Sequence, residues 1–312
     1  MEPLTKDTCR GNWGTLLLPI NPDDTIDFSR LSHEIDILIA AHVDGIYSNG
    51  TAGEFHTQTE TEFDQISQLL AEKCNAARMP FQIGVSHSVP AIVLDRIRRT
   101  QALKPSAYQV ILPDWVAVTN QEARIFFNRI SEAAHPVPLV LYNPPHAKRV
   151  LPPAGYQELL ETIPALISVK LLDGDEQWYE QMKLVADRIA VFVPGHHLAT
   201  GIEKGVASGA YSNVACINPK AAQQWWKMMQ TDINEALQVQ NAIQSFFDAY
   251  IVPFAKKGFS NPALDKLLAA VAGWAPVGTR LRWPYQWIPE TDVPDVRKGA
   301  HRHLPGWFFE AI

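Results

Sequence analysis

Eight short apolar runs, each followed by a segment of helical pattern, constrain the fold of this chain more than any other feature. The runs are Gly14–Ile20, Gly45–Ser48, Phe81–Val85, Tyr108–Leu112, Pro138–Tyr142, Leu166–Leu171, Ile189–Val193 and Gly209–Val214. They are too short for buried helices, and most lack the alternation of a half-exposed strand. That is the pattern of strands covered on both faces, as in a parallel sheet. Between them, Phe28–Val43 carries Leu31, Ile35, Leu38 and Ile39 at helical spacing. Glu60–Ala77 and Val118–Ala134 also read as helices, the latter with Thr119 as N-cap and Glu122 three residues on. A succession of eight βα units implies an α/β fold, a (β/α)8 TIM barrel. A doubly wound sheet would usually place a glycine fingerprint after its first strand. Here Leu16-Leu17-Leu18-Pro19-Ile20-Asn21-Pro22 stands there, and the chain has neither G-x-G-x-x-G nor a Walker loop.

After Pro219 the strand signal stops. Lys220–Gln230, Asp232–Phe254 and Asn261–Trp274 read as helices, and a Pro- and Trp-rich tail with Trp283, Trp287 and Trp307 follows. The expected organisation is a catalytic barrel over residues 1–219 and a C-terminal helical appendage over 220–312 packed on it. Lys and Arg number 27 against 33 Asp and Glu, a net charge of −6. That balance implies no nucleic-acid or anionic-membrane partner. Cys9, Cys74 and Cys216 are scattered, which fits a reducing compartment. The N-terminus has no apolar leader and no run is long enough to span a membrane, so the expectation is a cytoplasmic protein.

Barrel enzymes keep their chemistry at the C-terminal ends of the strands, so polar residues there carry the most information. Lys170 ends the run Leu166-Ile167-Ser168-Val169-Lys170. Desolvation at that position disfavours the ammonium, and a neutral amine can attack a ketone to form an imine. The competing reading is a lysine that snorkels into water. Tyr142, at the end of the preceding run, can shuttle a proton to and from the carbinolamine oxygen. Its alternative is a core-capping aromatic. Gly50-Thr51-Ala52-Gly53-Glu54 follows the second run, and such a turn can aim N–H groups at a carboxylate. The alternative is an ordinary strand-to-helix turn with Glu54 as its brace. Nothing points to a metal: the one H-x-H, His301-Arg302-His303, lies in the tail rather than after the first strand.

Together these segments resemble the dihydrodipicolinate synthase / N-acetylneuraminate lyase family of class I aldolases. The likeness rests on the Gly50–Glu54 turn, on Tyr142-Asn143-Pro144-Pro145 and on Ile167-Ser168-Val169-Lys170, and it extends over nearly the whole chain. Gly195 and Gly209-Ala210-Tyr211-Ser212-Asn213 match the last two strand ends. The resemblance implies a Schiff base between Lys170 and pyruvate or another 2-oxo acid, with Tyr142 as acid/base and Thr51 as its partner. Gly50 and Ala52 would serve the carboxylate, and Tyr211 and Ser212 would line the pocket. It also implies a small-molecule 2-oxo acid and aldehyde as partners, no cofactor, and a homotetramer or homodimer. The synthase branch's arginine falls on Ala147, its interface tyrosine is replaced at Pro113-Asp114-Trp115, and its second turn hydroxyl is Ala52. The lyase branch's acidic pair is replaced by His196-His197. The distal part of the substrate is therefore expected to meet Asp114, Trp115, His146, Lys148, His196 and His197. Aldol cleavage or condensation, or dehydration of a 2-keto-3-deoxy acid, is the expected reaction. Dihydrodipicolinate synthesis proper, a metal-dependent barrel hydrolase and a catalytically silent 2-oxo-acid-binding barrel remain alternatives.

Overall fold

The computed structural model describes residues 1–307. Its eight strands are β1 (Gly11–Thr15), β2 (Gly45–Ser48), β3 (Phe81–Gly84), β4 (Ala107–Val110), β5 (Leu139–Asn143), β6 (Leu166–Leu171), β7 (Ala190–Phe192) and β8 (Ala207–Tyr211). All pair in parallel in sequence order, and β8 closes on β1 to complete the barrel. Around it run α1 (Phe28–Ala40), α2 (Glu60–Ala77), α3 (Pro90–Thr100), α4 (Asn120–Ala134), α5 (Pro153–Leu160), α6 (Glu176–Ala186), α7 (Leu198–Glu203) and α8 (Asn213–Ile217). The chain then continues as α9 (Pro219–Thr231), α10 (Ile233–Phe246), α11 (Val252–Lys256), α12 (Asn261–Ala272) and α13 (Val293–His303).

Period-two alternation sorts the strand residues into two cores. Trp13, Tyr47, Ala107, Val140, Phe192 and Tyr211 fill the barrel's interior, with Cys9 among them. Ile46, Ile83, Leu141, Val169 and Val191 face outward and pack under the helices. Close approach of neighbouring strands restricts the backbone where β8 closes on β1: a Cβ on Gly209 would lie 2.3 Å from the carbonyl oxygen of its ladder partner Gly11. The Thr119–Glu122 capping box forms, with the Glu122 N–H donating to Thr119 Oγ1 at 3.2 Å.

Three expected boundaries move. The first strand is Gly11–Thr15 rather than Gly14–Ile20. Leu16, Leu17 and Leu18 are buried, but the Leu17 N–H donates to the buried carboxylate of Glu34 at 2.8 Å instead of extending a ladder. The last strand is Ala207–Tyr211 rather than Gly209–Val214, because Ser212 Oγ accepts from the Ala215 N–H at 2.9 Å and caps α8. The helix expected over Asp232–Phe254 is interrupted by a π-helical turn at Phe247–Ile251, just before Pro253, whose missing N–H cannot join the ladder. The remaining strands lie within two residues of the expected bounds.

The helices beyond Pro219 share one apolar core with the barrel's outer layer. Trp274 Nε1 donates to the Cys216 carbonyl at 2.8 Å, joining the end of α12 to α8. A second tie is ionic. Lys266 on α12 lies 2.5 Å from Glu54 Oε1, with both side chains at 1% exposure or less. Removing one member of such a pair strands a buried charge and costs about 3–5 kcal/mol. Lys266→Met is expected to lower the urea-unfolding stability by about that amount, and Glu54→Gln with Lys266→Met to regain at least half of it. A single variant as stable as the wild type, at equal protein concentration, would show that the pair does not hold α12 in place.

Candidate active site

Lys170 and Tyr142 meet because β5 and β6 are in register: their Cα atoms are direct partners across the ladder. Leu141, Val169 and Leu171 take the outward positions, so alternation turns Tyr142 and Lys170 to the interior side at the C-terminal rim. Lys170 Nζ lies 4.2 Å from the ring centre of Tyr142, 5.3 Å from Tyr211 and 5.6 Å from Tyr47. Burial among these rings lowers the ammonium to about 8, against a partial counter-effect from Asp265 and Cys216. Burial raises the Tyr142 phenol, while its hydrogen bond with the Thr51 side chain pulls the other way.

The turn after β2 is shaped by the tyrosine beneath it. A Cβ on Gly50 would lie 2.0 Å from the Tyr47 hydroxyl. Asn49 and Glu54 adopt left-handed φ values of 55° and 50° at the two ends of the turn. The Glu54 N–H donates to the Thr51 carbonyl at 3.0 Å and the Phe55 N–H to that of Gly50 at 3.2 Å. Among the described residues the N–H groups of Thr51 and Ala52 have no acceptor, and both residues line the same cavity as Lys170. Glu54 points away: its second oxygen accepts from the Arg282 N–H at 3.0 Å. It braces the turn rather than facing the cavity.

That cavity, of about 360 Å³, brings together Lys170, Tyr142, Thr51, Ala52, Tyr211 and Ser212, together with His196. A second hollow of about 570 Å³ adjoins it across Thr51, Tyr142 and Asn261. Its walls are Phe55, His56, Ile111 and Tyr285, with Asp114, His146 and Ala147 beside them. The His56 and Tyr285 rings meet edge to face at 4.7 Å.

The other expected site residues lie elsewhere. Gly50 shapes the turn without lining either hollow. Trp115 is 79% exposed and lines an outer cleft with Lys148. Lys148 Nζ lies 4.8 Å from the centre of its ring, and Asp114 accepts from the Lys148 N–H at 2.8 Å. His197 turns outward, with Nδ1 2.8 Å from Asp173, which raises its pKa. His196 is held neutral: burial and His197 lower it to about 4, and its Nδ1 lies 2.9 Å from the Asn213 amide nitrogen. His301 and His303 sit in the last turn of α13. Among the described residues no three His, Cys, Asp or Glu are placed to hold a metal ion.

Several cavity residues come from elements that the strand-end reading did not reach. Asn261, Leu264, Asp265 and Leu268 line it from α12, at the i, i+3, i+4, i+7 spacing of one helix face. The signal was a charged pair, Asp265-Lys266, set among Leu264, Leu267 and Leu268. Phe247 and Ile251 reach the cavity from the π-helical turn.

The dihydrodipicolinate synthetase family model matches residues 8–301. A 4-hydroxy-tetrahydrodipicolinate synthase of Thermomicrobium roseum is 27% identical over 275 residues, 87% of this chain and 88% of that one. A trans-O-hydroxybenzylidenepyruvate hydratase-aldolase of Pseudomonas aeruginosa is 23% identical over 334 residues, 97% of this chain and 93% of that one. Among solved structures, YagE of E. coli K12, a protein of the dihydrodipicolinic acid synthase family, superposes with a TM-score of 0.82 at 20% identity, covering 95% of this chain and 98% of that one. The chain belongs to the dihydrodipicolinate synthetase family, whose members are class I lyases and aldolases.

An amine held near 8 has a direct consequence. The neutral form is the one that reacts with acylating reagents, so labelling of Lys170 is expected to rise with pH through a midpoint of about 8. Exposed lysines should rise near about 10.4. Mass spectrometry of tryptic peptides after brief acetic anhydride pulses across pH 6–11 reads both. A Lys170 midpoint above pH 10 would contradict the desolvated amine.

Proposed function

We propose that the protein is a Schiff-base lyase that joins or separates pyruvate, or a close 2-oxo acid, and an uncharged aromatic aldehyde. The observation that carries the reading is the Lys170 amine, desolvated among tyrosines and paired in register with Tyr142. The 2-oxo acid's carboxylate takes the Thr51 and Ala52 N–H groups. Lys170 attacks its C2 carbonyl, and the Tyr142 phenol protonates the oxygen, which leaves as water to give the imine. In the cleavage direction the Tyr142 phenolate left by that protonation takes the C4 hydroxyl proton, the C3–C4 bond breaks, and its electron pair enters the protonated imine to form an enamine. The aldehyde departs. Protonation at C3 and hydrolysis of the imine release the 2-oxo acid and restore Lys170.

The aldehyde side of the reading rests on the second hollow. Phe55, His56, Ile111 and Tyr285 offer flat apolar walls. No Lys or Arg stands among the described residues that line it, and the slot of the synthase branch's arginine is Ala147. A carboxylated aldehyde would lack a bidentate partner there. The hydratase-aldolase relative, matched over nearly the whole chain, bears the name of a substrate that joins an aryl group to pyruvate. Asp114 and His146 border this hollow and remain candidates for the distal group, with His196 on the Lys170 side. We take the working form as a homo-oligomer: Trp115 and Val116, at 79% and 73% exposure, form the kind of apolar surface that a second copy covers. Cytoplasmic residence is part of the reading, with Cys9, Cys74 and Cys216 all free thiols.

Pyruvate with borohydride is expected to add one reduced adduct at Lys170, seen by intact mass and peptide mapping, and Lys170→Ala to abolish it. An equal adduct in Lys170→Ala would overturn the nucleophile. Against a panel of aldehydes, Tyr285→Ala is expected to lose about tenfold of the preference for aromatic over aliphatic partners, the scale of one aromatic contact. Trp115→Ala should leave that ranking unchanged. Turnover of aspartate semialdehyde with pyruvate at roughly 1 per second or faster would reject the uncharged-aldehyde assignment.

A further inference from the structure

The imine reaction needs a base for a carbon acid as well as an acid for oxygen. Converting the pyruvate imine to its enamine breaks a C3–H bond and puts the electron pair into C2=C3, while the C=N pair returns to nitrogen. The proton must go to a group beside C3, which is two bonds from Lys170 Nζ once the imine has formed. Five ionisable groups besides Lys170 line the cavity from different elements: Tyr142 from β5, Tyr211 from β8, Cys216 from α8, His196 from the loop after β7 and Asp265 from α12. Burial keeps the Cys216 thiol and the Tyr142 and Tyr211 phenols protonated. His196 is a weak base whose Nδ1 already has Asn213 beside it.

Asp265 differs from all of these. It is the one carboxylate among the described lining residues. Among the described residues it has no ion-pair partner, and none of their hydrogen bonds ends on it. Its neighbour Lys266 is taken by Glu54 on another face of the helix. Asn261, Leu264 and Leu268 fix its face of α12 against the cavity. Its charge acts on Lys170, Tyr142 and Cys216, which line the same cavity.

We propose that Asp265 is the catalytic base that takes the C3 proton of the Lys170 imine in the condensation direction and, in its protonated form, gives a proton to C3 of the enamine in the cleavage direction once the aldehyde has left. Tyr142 then serves the oxygen and Asp265 the carbon. Burial raises the Asp265 carboxyl to about 7, with Lys170 opposing, so both its forms are populated near neutrality, as a group that accepts and returns one proton requires.

The inference rests on the imine reading above, and its test separates the two. Borohydride trapping of pyruvate reports the imine. Exchange of the pyruvate methyl protons in D2O, followed by proton NMR, reports enamine formation and needs no aldehyde. Asp265→Asn is expected to trap pyruvate within threefold of the wild type while exchange falls about 10²-fold or more, and Asp265→Glu to recover part of the exchange. Wild-type protein that traps no pyruvate would sink the imine reading itself. With trapping intact, exchange by Asp265→Asn within threefold of the wild type would overturn the assignment. So would loss of trapping by a folded Asp265→Asn, which would assign the carboxylate to imine formation instead.

Discussion

The buried ion pair between Glu54 and Lys266 is the contact on which the site's geometry depends. It joins the glycine turn after β2 to α12, elements separated by most of the chain. Burying two charges is costly unless their remaining hydrogen-bonding capacity is met. Here Lys266 Nζ also donates to the Arg280 carbonyl at 2.6 Å, and Glu54 accepts from the Arg282 N–H at 3.0 Å. The pair is therefore satisfied only when the turn, α12 and the segment leading to Trp283 are all in place. With Lys266 pinned, the rotation of α12 about its axis is set, and Asn261, Leu264, Asp265 and Leu268 must face the cavity. The C-terminal helices are thus a wall of the site and not only a cover for the barrel.

Within that wall the decisive quantity is desolvation. Aromatic rings surround Lys170 on three sides, and Tyr211 is held by donating its hydroxyl to Gln82 Oε1 at 2.6 Å. The same exclusion of water moves amine and carboxyl toward each other: Lys170 down to about 8 and Asp265 up to about 7. Each partly offsets the other's shift, because the ammonium favours the carboxylate and the reverse. Groups whose environments push them from opposite ends toward neutrality are suited to exchanging protons with one substrate.

The barrel, Lys170, Tyr142 and the turn were legible because each lies in a local pattern: a continuous apolar run with a polar residue at its end. Asp265 was not, since its role comes from a helix face that meets the barrel only in three dimensions. A charged residue amid Leu264, Leu267 and Leu268 was the sole local sign. Trp115 and His197 were placed near the chemistry from their chain position after a strand. The loops carry them outward, where Lys148 and Asp173 occupy them. The first strand was misplaced because Leu16–Leu18 is as apolar as a ladder but spends the Leu17 N–H on Glu34.

On the proposed reading, the departures from the family's synthase branch leave the imine-forming residues in place. Lys170, Tyr142 and the Thr51 turn handle the 2-oxo acid in that reading. Ala147 and Trp115 stand where the resemblance implies a carboxylate anchor and an interface phenol, and Ala52, in the carboxylate turn itself, where it implies a second hydroxyl. Without the second hydroxyl and the distant phenol, the hydroxyl relay that the resemblance implies is incomplete beyond Thr51. Protons exchanged at the reacting carbon must then find an acceptor inside the same cavity. A carboxylate on α12, buried enough to hold or release a proton near neutral pH, meets that need without a relay. It does so only while Lys266 keeps its neighbour aimed at the imine, which ties the stability of the C-terminal helices directly to the chemistry at Lys170.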